Sequence, residues 1–165
     1  MPSWFPKRHV AQFFRQFPWL LAAAQPIFRL TRPCFTAGVV GVVFNPAGEV
    51  LVVEHVFHPT NPWGLPGGWV DRHEDPAQAL QRELGEELEL TAEIGQVLLV
   101  GSRTPRHFDF AYLCRATGSV GTLCGELLDY RWTALDSLPA LLPFHRQAVQ
   151  HGAALLSVEL TGHNS

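Results

Sequence analysis

Three glutamates set close together, Glu83, Glu86 and Glu87, are the residues of this chain best placed to do chemistry. On a helix, 100° per residue brings all three into one sector of the surface. Leu80 and Leu84 fall to one side of that sector, so the carboxylates flank a buried stripe. Like charges at i,i+3 and i,i+4 cost roughly 0.2–0.5 kcal/mol per pair on an exposed helix. The edge of a core raises that cost, and a bound divalent cation reverses its sign. Oxygen-only ligands favour a hard ion, Mg²⁺ or Mn²⁺, over zinc or copper. Magnesium keeps waters and shares its remaining positions with substrate phosphates, so these carboxylates point to metal-assisted phosphate chemistry. Arg82, next to Glu83 and four residues before Glu86, can pair with a carboxylate and fix its direction. The plainer alternative is a solvated acidic face with an ordinary i,i+4 ion pair.

The elements that must hold these residues are legible around them. Asp75-Pro76 is a helix entry, a capping carboxylate followed by proline at the first helical position. Ala77, Leu80, Leu84 and Leu88 then form an apolar stripe. Upstream, residues 35–44 are β-branched and continuous, as a buried strand should be. Asn45 to Gly48 is a turn, and residues 50–56 read as the returning strand of a hairpin. Downstream, residues 93–100, 108–114 and 127–132 are further strands, and residues 144–156 a closing helix. Strands interleaved with helices predict an α/β fold built around a mixed β-sheet.

Composition bounds the rest. The 165 residues suit one ordinary domain, and 47% hydrophobic against 16% charged supports a real core. Twelve Lys+Arg against fifteen Asp+Glu, a net charge of -3, is too mild for a dedicated nucleic-acid binder. Three scattered cysteines, Cys34, Cys114 and Cys124, form no C-x-x-C pair, so neither a disulfide scaffold nor a zinc ribbon is expected, and a reducing cytoplasmic setting is the default. The apolar stretch from Phe17 to Ala24 is interrupted upstream by Gln12, Arg15 and Gln16, which argues against a signal peptide.

Reading outward from the glutamates gives Gly68-x5-Glu74-x7-Arg82-Glu83-Leu84-x-Glu86-Glu87-x-Glu89-Leu90. This resembles the signature of the Nudix hydrolase superfamily, G-x5-E-x7-R-E-U-x-E-E-x-G-U, with U a bulky aliphatic residue. The departure is Glu89, which replaces the glycine that lets the chain turn with positive φ after the helix. A longer final turn or a different exit is expected there. The likeness extends from about Phe35 to Pro139. It takes in Trp63-Gly64-Leu65-Pro66-Gly67-Gly68 before the signature, and Arg131-Trp132 with Leu135 to Pro139 after it.

The resemblance implies a three-layer α/β/α sandwich, to which residues 34–165 are assigned; residues 1–33 lie outside the likeness and read, from the helical spacing of Val10, Phe13, Phe14 and Phe17, as a separate helical arm. It implies a divalent-metal-dependent hydrolase, using Mg²⁺ or Mn²⁺, that cleaves a diphosphate bond in a nucleoside diphosphate linked to another moiety, X. The alternative is a protein of the same fold that binds or senses a nucleotide without turnover. Carried over by position, Glu83, Glu86 and Glu87 hold the metal with the Gly67 carbonyl, while Glu74 and Arg82 brace loop and helix around Gly68. Glu126, six residues before Trp132, stands where some relatives place a further carboxylate. Glu83 or Glu126 then takes the proton of the attacking water.

Other residues carry weaker signals. Arg72 and His73, just before Glu74, are within reach of a phosphate. In His107-Phe108-Asp109-Phe110, strand alternation puts the two polar residues on one face and the two Phe on the other. One of those faces lines a substrate pocket, with Phe110 a candidate for stacking on a base, or else the Phe pack and the polar pair is solvated. His55 and His58 read as loop-edge histidines whose spacing does not share a face. The arm carries Trp4, Phe5, Phe13, Phe14, Phe17, Trp19 and Phe28 among Lys7, Arg8, Arg15, Arg29 and Arg32, with no acidic residue. That pattern favours a helix packed on the domain, or on a second copy as a homodimer, over a membrane-surface or RNA contact.

Overall fold

The computed structural model describes residues 7–30, 32–58, 60–102 and 104–162. They fall into two compact units, residues 1–34 and 35–165. The first holds two helices, α1 (Lys7–Gln16) and α2 (Pro18–Leu30). Between them the Phe17 amide donates to the Phe13 carbonyl at 3.0 Å, and the rings of Phe13 and Phe17 lie 5.2 Å apart. Among the described residues no helix is long and apolar enough to cross a membrane.

The second unit runs β1 (Thr36–Phe44), β2 (Val50–His55), β3 (Trp63–Gly64), α3 (Pro76–Leu88), β4 (Ala92–Gly101), β5 (His107–Ala116), β6 (Leu127–Thr133) and α4 (Pro143–Gly162). The six strands form one sheet in the order β3-β2-β1-β5-β4, with β6 also paired to β2. β1 and β5 are parallel and the other pairs antiparallel, so the sheet is mixed as the sequence predicts. Alternation along the central strands builds two cores. Val39, Val43, Leu51, Val53, Tyr112 and Cys114 pack with Leu80, Leu84 and Leu88 of α3. Val40, Val42, Phe44, Val50, Val52, Ala111 and Leu113 form the other cluster with Ala148 and Val149 of α4. The result is a helix–sheet–helix sandwich. Burial pushes the Cys114 thiol up to about 12, which leaves it an apolar filler rather than a nucleophile.

Helix α3 begins as its sequence dictates. Asp75 caps it, its Oδ1 accepting from the Ala77 amide at 2.9 Å, and Pro76 is the first helical residue. Its end corrects the expectation of a longer turn or a different exit. The helix stops at Leu88, and Glu89 itself takes the left-handed conformation, φ 47° and ψ 31°. The Glu89 amide donates to Gly85 O at 3.1 Å and the Leu90 amide to Leu84 O at 3.0 Å. A non-glycine residue in this region costs about 1 kcal/mol or more, here offset by those bonds and by the burial of Leu90.

Candidate active site

Residues 65–70 run beside β1: Gly41 N–H donates to Pro66 O, Val39 N–H to Gly68 O and Val70 N–H to Ala37 O, each at 2.9 Å. This lays Gly67 and Gly68 flat against the strand, facing α3. Gly67 has φ +145°, and a Cβ there would overlap the Val39 carbonyl oxygen. A Cβ on Gly68 would fall in the space of the Glu83 carboxylate, 2.7 Å from Oε2. Gly68→Ala is therefore expected to leave the fold intact, with Tm within about 5 °C, because a flexible carboxylate can swing aside. Divalent-metal affinity should drop at least about tenfold in titration calorimetry, since Glu83 would then be displaced.

Arg82 is the hub. Its Nε donates to Glu74 Oε1 and its Nη2 to Glu74 Oε2, both at 3.0 Å, a two-pronged pairing that only a guanidinium can make. Nη2 also reaches the Trp69 carbonyl at 3.0 Å, and Nη1 reaches Glu83 Oε1 at 2.9 Å and Glu86 Oε2 at 3.2 Å. The Asp71 amide donates to Glu74 Oε2 at 3.0 Å. The bond from Arg82, with that amide, holds the Glu74 carboxyl below its ordinary range. One side chain thus ties the loop before α3, the segment after Gly68 and two of the three glutamates together.

Glu87 is the outlier. It is 8% exposed, and its Oε2 is a buried oxygen without a hydrogen-bond partner among the described residues. Burial, and then the charges of Glu83, Glu126 and Glu86, push its carboxyl up to about 7, against a backbone bond from Gly67 that lowers it. A buried carboxylate with an orphaned oxygen and three acidic neighbours has the donor chemistry of a cation site, so these residues fit a hard divalent ion. Among the described residues no three side chains close a cage by themselves.

Glu83, Glu86, Glu87, Arg82, Gly67, Gly68 and Glu126 all line one cleft of about 490 Å³. Glu126 enters it, exposed, from the turn ahead of β6. Arg72 and Phe110 do not line it: Arg72 is exposed in the loop before Glu74, and Phe110 is half-buried against the α3 core. The cleft is lined instead by side chains that sequence reasoning valued less. His55 and His58 share it, their rings 5.2 Å apart, because the loop after β2 brings the second histidine back over the first. Burial, and then His58, hold the His55 imidazole below its ordinary range, opposed by a bond to the Leu65 backbone. His145 of α4 accepts from the Leu65 amide at 3.2 Å.

On β5 the polar pair, not the Phe pair, faces the cleft. His107 and Asp109 are buried, His107 Nε2 lies 3.0 Å from Asp109 Oδ1, and Thr36 Oγ1 lies 2.8 Å from His107 Nδ1. A solvated His and Asp, one of the two expectations, is thereby corrected. The Trp69 ring packs 5.0 Å from His107, and Phe57 and Trp63 add two more aromatic walls. Period-2 polar residues in a strand that is otherwise apolar were the available signal.

Comparison with known proteins shows the family. The NUDIX domain family matches residues 35–152. An RNA pyrophosphohydrolase of Acidiphilium cryptum is 33% identical over 137 residues, covering 68% of this chain and 84% of that protein. An 8-oxo-dGDP phosphatase, NUDT18 of Danio rerio, is 31% identical over 104 residues, 62% of this chain but only 31% of that longer protein. The crystal structure of a MutT NUDIX hydrolase from Burkholderia pseudomallei superposes with a TM-score of 0.63 at 27% identity, covering 70% of this chain and 96% of that one. Carboxylates on the helix, glycines under them and the arginine that joins the two are the parts this match spans, and the chain belongs to the Nudix hydrolase superfamily.

Proposed function

We propose that this protein hydrolyses a diphosphate bond in a nucleoside diphosphate linked to a further moiety, X, with Mg²⁺ or Mn²⁺ held by Glu83, Glu86, Glu87 and the Gly67 carbonyl. The observation that carries the reading is Glu87, whose Oε2 is buried without a hydrogen-bond partner among the described residues and whose carboxyl feels the charges of Glu83, Glu126 and Glu86. When bound, the ion supplies charge neutralisation on the phosphate oxygens and lowers the pKa of water. The chain supplies positioning. Arg82 fixes Glu83 and Glu86, and the glycine pair lets the backbone approach them closely. Since Glu83 Oε1 is taken up by Arg82, Glu126, which lines the same cleft, is the carboxylate we assign to accept the proton of the attacking water. Phe57, Trp63 and Trp69 give flat apolar faces on which a base or an aromatic X can stack.

The test is release of phosphate or pyrophosphate across a panel of nucleoside diphosphates, triphosphates, ADP-ribose, dinucleoside polyphosphates, sugar nucleotides and capped RNA. Wild type runs beside Glu86→Gln, with and without chelator. Turnover that requires metal and falls about tenfold or more in Glu86→Gln is expected. Turnover that persists in chelator would contradict the assignment.

A further inference from the structure

The segment that carries Glu126 is held on the end of α3, and among the described residues Glu89 is the side chain whose hydrogen bond fastens it there. Residues 117–126 join β5 to β6. Their amides donate to the exit of α3: Gly121 to Leu88 O at 2.8 Å, Cys124 to Glu87 O at 3.0 Å, and Thr117 and Gly118 to Thr91 O at 3.0 and 3.2 Å. Between them the Thr122 amide donates to the Glu89 carboxylate, Oε2, at 3.1 Å. Gly121 makes room for this, since a Cβ there would overlap that carboxylate. Val120, Leu123 and Cys124 pack on the core beneath. On the far side the Glu126 carbonyl accepts from the Val56 amide at 3.0 Å.

We infer that Glu89 is a positioning residue: its carboxylate docks the 117–126 segment through Thr122 and so sets where Glu126 stands over the metal site. Three observations converge on this. Glu89 occupies a left-handed backbone position in which glycine would be the relaxed choice. At the exposed end of the helix its carboxylate accepts from the Thr122 amide of the loop. The loop places its glycine where that carboxylate lies. The chain thus accepts backbone strain at the helix end and gains a charge-assisted bond on the segment bearing the proton acceptor. This rests on the reading of Glu126 given above.

The experiment uses Glu89→Gly, which relieves the strain and removes the anchor. If position 89 were only a tolerated substitution, this change would leave kcat alone. The expectation instead is a Tm unchanged or raised within about 3 °C, a kcat lowered about tenfold, a KM within about threefold, and faster hydrogen exchange at the Thr122 amide. Glu89→Gln, which keeps an acceptor oxygen on the same stem, should hold kcat within about threefold of wild type. In a Glu126→Gln background, Glu89→Gly should cost no more than about twofold further, because the two act through one group. Unchanged kcat in Glu89→Gly, or a full additional loss on top of Glu126→Gln, would overturn the inference. A wild type without any turnover would overturn instead the reading on which it stands, and the inference with it.

Discussion

Glu87→Gln is expected to lower kcat by at least about a hundredfold, on the order of 3 kcal/mol of transition-state stabilisation, while making the metal-free protein more stable at pH 8. The two effects have opposite signs because one group serves two purposes. Burial and the neighbouring charges push the Glu87 carboxyl up to about 7 from an ordinary 4.5. The folded, metal-free protein therefore holds a proton there that the unfolded chain releases near pH 4.5. Between those values the native state binds more protons, so stability falls as pH rises from about 4.5 to 7 and stays low above it. Glutamine mimics the protonated form and removes that slope. Chemical denaturation in chelator should show Glu87→Gln matching wild type below pH 4.5 and exceeding it at pH 8 by up to about 3 kcal/mol. His55, held below its ordinary range, adds a slope of the opposite sign in this window, so the difference between the two proteins is what reports on Glu87. A difference that does not grow between pH 4.5 and pH 8 would refute the electrostatic account of Glu87.

Arg82→Lys should be nearly as damaging to catalysis, about thirtyfold or more in kcat, and should destabilise the fold by about 2 kcal/mol. Lysine keeps the charge but loses the fork. The paired bonds to Glu74 and the reach to Trp69 O, Glu83 and Glu86 come from three different nitrogens of one rigid plane. A point charge on a flexible stem satisfies one or two of these at a time. The Glu74 loop and the Glu83 carboxylate would then lose their common reference. Steady-state kinetics with urea unfolding on the same variant checks both effects. A kcat within threefold of wild type would show that charge alone suffices.

Much of this architecture was legible because local chemistry decides it. Asp75-Pro76 can start a helix and do little else, and Leu80, Leu84 and Leu88 choose its buried face. The β-branched runs of β1 and β2 alternate between two cores, and the glutamates follow from the helix period. What stayed hidden depends on contacts between segments remote in sequence. His55 and His58 meet only because the chain folds back after β2. Burial of His107 and Asp109 needs Thr36 on the neighbouring parallel strand and Trp69 above them. The same alternation that separates polar from aromatic residues on β5 was correct, but which face meets the cleft is set by the sheet, and Phe110 turned to the α3 core. At Glu89 the sequence shows a missing glycine. That the residue itself goes left-handed, and that its carboxylate has a use, depends on a loop 33 residues further on.

The most direct test is metal binding itself, which needs no knowledge of X. Mn²⁺ titrated into the 165-residue protein at pH 8 and followed by electron paramagnetic resonance reports the free ion. The account predicts saturable binding in wild type, competed by Mg²⁺ and weakened at least about tenfold in Glu87→Gln. Binding of equal strength in both, or none in wild type, would contradict the claim that the carboxylates of α3 form a metal centre.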